Sequence, residues 1–253
     1  MIVEDRRNLI LELLEEHNYM SVSQLANKIY VSEATVRRYL TQLEKEGVLK
    51  RTRGGASYIN PALTEWPFVF RNKTNISEKL HIGKLAASFV EDGDHLFLDA
   101  SSTCLCLAKS LPQNISADIL TYGIPTAQAL AKNKHIFVEL PGGQFHNDRS
   151  SIYGKDACDF ICSRYAKTFF VSGQGLDPKQ GLTEYSREEA FLKKTLHEHA
   201  SQTIVLLDHT KMNQTFYIQD LTLSDIDIII TNRPLPENLD EACYKYDIQV
   251  IYE

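Results

Sequence analysis

Residues 21–57, SVSQLANKIYVSEATVRRYLTQLEKEGVLKRTRGGAS, decide the first part of the fold. They read as two short helices, a tight turn and a basic hairpin, the outline of a winged helix-turn-helix. Ser21 and Gln24 are spaced as a capping box, and Leu25, Ala26 and Ile29 give the first helix an apolar stripe. The turn runs through Tyr30 and Val31. Ser32 suits an N-cap, because its hydroxyl takes an orphan amide, and Gly47 is a natural end to the second helix. At 100° per residue, Val36, Leu40 and Leu43 fall on one inward stripe of that helix. Ala34, Thr35, Arg38, Thr41 and Gln42 lie opposite, and Arg37 and Tyr39 flank the stripe. A helix that is small at its N-terminal end, with an arginine and a glutamine behind, fits the major groove. There Arg reaches guanine and Gln reaches adenine through paired bonds. Lys50-Arg51-Thr52-Arg53-Gly54-Gly55 suits a wing lying along phosphates. The expected DNA contacts are Ser32, Ala34, Thr35, Arg37, Arg38, Tyr39, Thr41, Gln42, Lys50, Arg51 and Arg53. Each taken singly is an ordinary surface residue; the ordered set carries the reading.

The charge is unevenly spread. Residues 32–57 hold six Lys/Arg against three Asp/Glu, a balance of +3 in a chain whose total is −6. Residues 1–57 carry nine basic and eight acidic side chains; the remainder carries 18 and 25. An acidic body repels phosphates, so DNA contact is confined to the basic edge near residues 35–53. A chain of 253 residues with 43% hydrophobic content has room for two cores. No run of about 20 apolar residues exists, so no membrane span is expected. The N-terminus, MIVEDRRNLILELLEEHN, is charged and helix-periodic, with Leu9, Ile10, Leu13 and Leu14 as its buried face. It lacks the apolar block of a signal peptide, which suggests a cytoplasmic protein. The five cysteines (104, 106, 158, 162 and 243) match no zinc spacing and read as reduced thiols. No metal and no cofactor is expected.

Residues 58–76, YINPALTEWPFVFRNKTNI, hold Pro61 and Pro67 and show no period. They read as an inter-domain connection, kept packed by Trp66, Phe68 and Phe70. The plan is a DNA-binding domain over 1–57, a linker over 58–76 and an α/β effector-sensing domain over 77–253. From Ser77 onward apolar strands alternate with amphipathic helices. Strands are expected at 95–101, 119–123, 135–140, 168–173, 203–208, 226–231 and 248–252. That alternation implies a mostly parallel sheet covered on both faces by helices.

Ligands of such sheets sit beyond the carboxyl ends of the strands. Four strand-end loops are polar or glycine-rich: 99–103, 141–149, 172–175 and 208–211. Singly, each is a cap or a turn; together they suit a small anion. The expected effector-binding residues are Asp99, Ser101, Ser102, Thr103, Gly142, Gly143, Arg149, Gly173, Asp208 and Lys211. Ser101, Ser102 and Thr103 offer hydroxyls and helix-start amides to a phosphate. Arg149 and Lys211 supply charge, and Asp99 and Asp208 supply acceptors for sugar hydroxyls.

Nearly the whole chain resembles a bacterial transcriptional repressor of the DeoR family. The resemblance lies in SEATVRRYLTQLEKEGVLKRTRGGA at 32–56, FLDASST at 97–103, GGQFHNDRSSIYG at 142–154, GLTEYSREEAFLKKTL at 181–196 and LLDHTK at 206–211. It implies a sensor related in fold to sugar-phosphate isomerases. It also implies an operator-binding repressor of a carbohydrate operon that responds to a phosphorylated sugar. The chain departs from the family at Tyr39, where an aspartate is usual. It departs again at Tyr122 and Gly123, at Ser172 and Gln174, and at His209 and Thr210. A competing reading is an isomerase fused to a DNA-binding head. Proton transfer between carbons needs a poised carboxylate or histidine. Asp99, Asp208, His146 and His209 qualify by type, but none sits in a motif for that chemistry. A winged helix reads only a few base pairs, so useful affinity implies a homodimer or a higher homo-oligomer on double-stranded operator DNA.

Overall fold

The computed structural model describes residues 3–59 and 65–253, with side chains from residue 6 onward. Pro61 lies outside the described residues. The chain divides into two units, residues 1–71 and 72–253.

The first unit runs α1 (Val3–His17), β1 (Tyr19–Ser21), α2 (Val22–Ile29), α3 (Glu33–Lys45), β2 (Leu49–Thr52), β3 (Gly55–Tyr58) and α4 (Phe68–Arg71). Its boundaries follow from the caps. The Ser21–Gln24 capping box forms and opens α2, Tyr30 ends it in the left-handed region with φ 55, and the Ser32 hydroxyl accepts from the Thr35 amide to open α3. Leu25 and Ile29 from α2 meet Val36, Leu40 and Leu43 from α3, and Ile10 and Leu14 from α1 close the core. The sheet order is β1-β3-β2, all antiparallel, and residues 53 and 54 make the wing turn, where Gly54 has φ 90. Arg7 and Glu46 form a half-buried ion pair between α1 and the end of α3. Trp66 packs edge-on to Phe70 at 4.4 Å against this same core.

The second unit continues α5 (Ile76–Ala87), β4 (Asp94–Leu98), α6 (Ser102–Ser110), β5 (Ala117–Thr121), α7 (Ile124–Leu130) and β6 (Ile136–Glu139). Then follow β7 (Gln144–His146), β8 (Ser151–Tyr153), α8 (Lys155–Ile161), β9 (Ala166–Val171), β10 (Gly175–Asp177), β11 (Gly181–Glu184), α9 (Arg187–Glu198) and β12 (Ala200–Leu206). A 3-10 turn over His209–Lys211 precedes β13 (Ile218–Leu221), β14 (Ile228–Ile230), α10 (Glu237–Lys245) and β15 (Gln249–Ile251). Seven strands form a parallel sheet in the order β15-β14-β12-β9-β4-β5-β6.

Strand residues alternate between two apolar layers, because successive side chains point to opposite faces. Phe97, Leu120, Phe169, Val205 and Ile229 pack with Ala157, Leu192, Leu196 and Leu239 from α8, α9 and α10. Leu96, Ile119, Phe170, Ile204 and Ile230 pack with Ile82, Leu107 and Leu130 from α5, α6 and α7. Both faces are therefore covered, as near-continuous apolar strands require.

The antiparallel additions are not apparent from the sequence pattern. Residues 142–154 contain the hairpin β7–β8, and β10, β11 and β13 form a separate three-stranded sheet. Their strands are three or four residues long, too short to show a period. Among the described residues no helix is long and apolar enough to cross a membrane.

Candidate functional site

The outward face of α3 is a shallow concavity lined by Arg37, Arg38, Thr41, Gln42 and Lys45. Ser32, Ala34, Arg38 and Gln42 are exposed and Thr35 is half-buried, so this end of α3 is open to a partner. Several of the expected contacts already have partners within the protein. Arg37 pairs with Glu33 at 3.2 Å, four residues back on the same helix. Arg51 donates to the Thr41 hydroxyl at 2.8 Å, and its amide donates to Glu44 at 3.0 Å. The Thr41 hydroxyl in turn donates to the Arg37 carbonyl. Thr41 and Arg51 thus lock the wing to α3. Lys50 and Arg53 are exposed on the wing.

Tyr39 corrects the sequence reading. It is 3% exposed and packs in the core with Val36, Leu40 and Leu43. Its ring lies 5.8 Å from the Arg38 guanidinium, so it backs that side chain from the core and offers little surface to a partner. The helical wheel placed it at the stripe's margin; the packing of α1 and α2 widens the buried arc over it.

In the second unit, the carboxyl ends of β4, β9 and β12 bring Asp99, Ser101, Gly173, Asp208 and Lys211 together. Asp99 is fully buried and accepts from the Ser101 amide at 2.8 Å and the Ser172 amide at 2.7 Å. Each of its oxygens accepts a backbone amide, so its first role is to tie two strand ends together. Ser101 caps α6 by accepting from the Cys104 amide. Ser102 and Thr103 are buried in the first turn, and the Thr103 hydroxyl has no hydrogen-bond partner among the described residues. Lys211 donates to the Gly173 carbonyl and lies 3.4 Å from the Ser172 hydroxyl.

Asp208 is buried beside Thr210 and takes a bond from Asn75 at 3.3 Å. Burial alone would raise its pKa, but Lys211, the Thr210 hydroxyl and Lys79 outweigh that and hold the carboxyl below its usual range. Lys79, which acts on Asp208, is a further candidate that the sequence reading missed. It is 4% exposed on α5, one turn before Gly83. Gly83 lets α5 lie directly on α6, since a Cβ there would come within 2.6 Å of the Cys106 carbonyl carbon. Lys79 falls among the buried residues of α5, an apolar-face position where a lysine is a signal in itself.

Gly142, Gly143 and Arg149 belong to the hairpin segment instead. Gly143, with φ 140, lets the chain turn from β6 into β7 against the Tyr153 carbonyl. Arg149 sits 5.6 Å over the Tyr153 ring and acts on Glu188 at the start of α9. The hairpin is bonded to the end of β5, through the Ile152 amide to the Tyr122 carbonyl. His209 is held by Asn232, through both its backbone amide and its ring.

Behind these loops lies a buried polar network. Lys193, 1% exposed, donates to the Ser172 carbonyl at 2.7 Å, to Glu184 and to Asp220 at 3.3 Å. Burial alone would lower its pKa, but Asp220, Glu184 and Glu189 raise it well above the usual lysine value. Asp220 is pushed well up by burial, with Glu184 and Glu189 adding repulsion. Glu189 accepts from Tyr153 at 2.7 Å and Tyr122 at 3.3 Å, which occupies both tyrosine hydroxyls. The network has a sequence signal. Glu189, Leu192, Lys193 and Leu196 share one helical stripe, so two charges sit on an apolar face.

Comparison with known proteins places both units. A pattern described as a DeoR-like helix-turn-helix domain matches residues 6–62, and one described as a DeoR C terminal sensor domain matches residues 74–233. The chain is similar to the HTH-type transcriptional repressor GlcR of Bacillus subtilis, at 33% identity over 92% of this chain and 90% of that protein. It is similar to the HTH-type transcriptional regulator GolR of Listeria innocua, at 34% identity over 95% of this chain and 93% of that protein. It is also similar to the glycerol-3-phosphate regulon repressor of Escherichia coli, at 26% identity over 97% of both chains.

Proposed function

The chain belongs to the DeoR family of transcriptional regulators, and from that premise we propose that it is an operator-binding repressor of a carbohydrate operon whose second unit takes a phosphorylated sugar. The observation that carries the ligand is the edge where Lys211, buried Lys79 and Asp208 meet. Two ammonium groups lie beside this carboxylate, and the start of α6 adds amides and the Thr103 hydroxyl. That combination suits a phosphate, and Asp208 suits a hydroxyl of the attached sugar. One relative's name, a glycerol-3-phosphate regulon repressor, points to the same chemistry.

The protein is read as a non-enzymatic cytoplasmic regulator that works as a homodimer on two half-sites. Of the four groups that qualify as a base by type, Asp99 holds two backbone amides and His209 is held by Asn232, which favours binding over turnover. Titration calorimetry of the full chain with a panel of pentose, hexose and triose phosphates tests the reading. A phosphorylated sugar binds, its unphosphorylated form binds at least about tenfold more weakly, and Lys211→Ala removes the difference while operator binding without ligand stays near the parent value. Failure of every phosphate to bind, or parent-like binding by Lys211→Ala, overturns the site.

A further inference from the structure

One cleft of the first unit plays no part in the contacts above. It has a volume of about 640 Å³ and is lined by His17, Tyr19, Met20, Gln24, Asn27, Lys28 and Tyr30. It lies along the solvent side of α2, with β1 as its floor. No aspartate or glutamate is among its described lining residues, and Glu16 lies 3.7 Å from the His17 ring. Its walls offer an ammonium, an imidazole, two side-chain amides and two phenols, the side chains that proteins use against DNA phosphates.

Tyr30 is the residue hardest to explain internally. Its backbone is in the left-handed region, unfavourable for a bulky side chain, and its ring is 90% exposed. It stands two residues before Ser32, the cap of α3. Tyr19 is 46% exposed, and its ring lies over Gly55 at the root of the wing. The start of α2 is tied to the wing turn by the Val22 amide, which donates to the Gly54 carbonyl at 2.8 Å. Through Tyr19 the cleft adjoins the root of the wing, and through Tyr30 it reaches the turn that leads into α3. The first helix of a helix-turn-helix is also the one that crosses the DNA backbone.

We propose that the cleft is a backbone-docking site for the DNA strand flanking each half-site, with Lys28 paired to a phosphate and Tyr30 and Tyr19 lying along the sugar–phosphate chain. It rests on the operator-binding reading above and adds a contact beyond α3 and the wing. Such a contact carries no sequence information but adds affinity and salt dependence.

The test uses the full chain and a duplex selected from random-sequence pools by the parent protein, both with flanks of about one helical turn and trimmed to the selected core. Trimming weakens the parent several-fold and leaves Lys28→Gln/Tyr30→Asn unaffected. On the flanked duplex that variant has a salt slope shallower by about 0.9 per lost phosphate, or roughly threefold less affinity lost per contact between 50 and 200 mM salt. Asparagine tolerates the left-handed backbone at position 30, so thermal melting of the variant matches or exceeds the parent. Selected sequences stay the same. If trimming weakens parent and variant equally, or the slope is unchanged, the cleft faces something else and the proposal is overturned. If instead the variant changes the oligomeric state, the cleft belongs to a second copy of the chain. Failure of the parent to select any sequence would overturn the operator reading itself, a separate result.

Discussion

Arg38 and Lys193 are both cations on helices, and their surroundings are opposite. Arg38 is exposed on α3, rests on the buried ring of Tyr39, and faces an open concavity. Lys193 is 1% exposed on α9 and gives its three donor bonds to Ser172, Glu184 and Asp220. The first unit keeps most of its charges outside a small apolar core, where each contributes little to folding and much to a partner. The second unit buries charge behind its strand ends, where removing one partner strands the others. Charge in the first unit is thus open to function, and the buried charge of the second is first of all structural support for its strand-end loops.

The sharpest way to break this contrast is Lys193→Met. It leaves Glu184, Glu189 and Asp220 buried without their cation, and the second unit loses about 3–5 kcal/mol. The one tryptophan of the chain, Trp66, packs in the first unit. Urea unfolding followed by circular dichroism therefore shifts to lower denaturant while the Trp66 fluorescence midpoint stays put. Parent-like unfolding by both probes would mean that the network contributes nothing.

Arg38→Ala is the matching test in the first unit. It costs about 1–3 kcal/mol of specific DNA binding and far less of non-specific binding, and it leaves both unfolding midpoints within about 0.5 kcal/mol of the parent. Equal loss of both affinities would make Arg38 a phosphate contact only.

Acid sharpens the comparison further. The folded pKa of Asp208 lies below its unfolded value, so its ionised form stabilises the second unit. That contribution is fully present above the unfolded pKa, about 3.9, and is lost as pH falls through the lower folded value. The stability gap between parent and Asp208→Asn is therefore constant near neutral pH and closes in strong acid. A gap that widens on acidification would reverse the assignment.

The smallest effect separates the wing cations. Arg53→Ala and Lys50→Ala each flatten the salt dependence of DNA binding by about 0.9 for a lost phosphate contact. Arg51→Ala changes the slope less, because its guanidinium is already spent on Thr41. Equal slopes for all three variants would show that DNA pulls Arg51 off the helix.

Much of this was legible in the chain. The capping box at Ser21, the cap at Ser32 and the stripe of Val36, Leu40 and Leu43 are local signals, set by spacing within a few residues. The seven parallel strands declare themselves because burial on both faces demands continuous apolar runs. The candidate site was legible in part, since Ser101, Gly173, Asp208 and Lys211, which the structure brings together, all lie just past strand ends where ligands of such sheets sit. Lys79 and Lys193 were not recognised, although each sits on an apolar helical stripe, because a helical period does not say what a buried charge will meet.

By itself the sequence determined the order of the helices and parallel strands, the caps and the two-unit plan, since these depend on neighbours in the chain. Only the tertiary structure decided that Tyr39 goes inside, that Asp99 serves backbone amides, that Arg51 braces the wing against α3, and that Lys193 gathers Glu184, Glu189 and Asp220. These outcomes join residues from separate elements, and burial sets which polar group must find which partner.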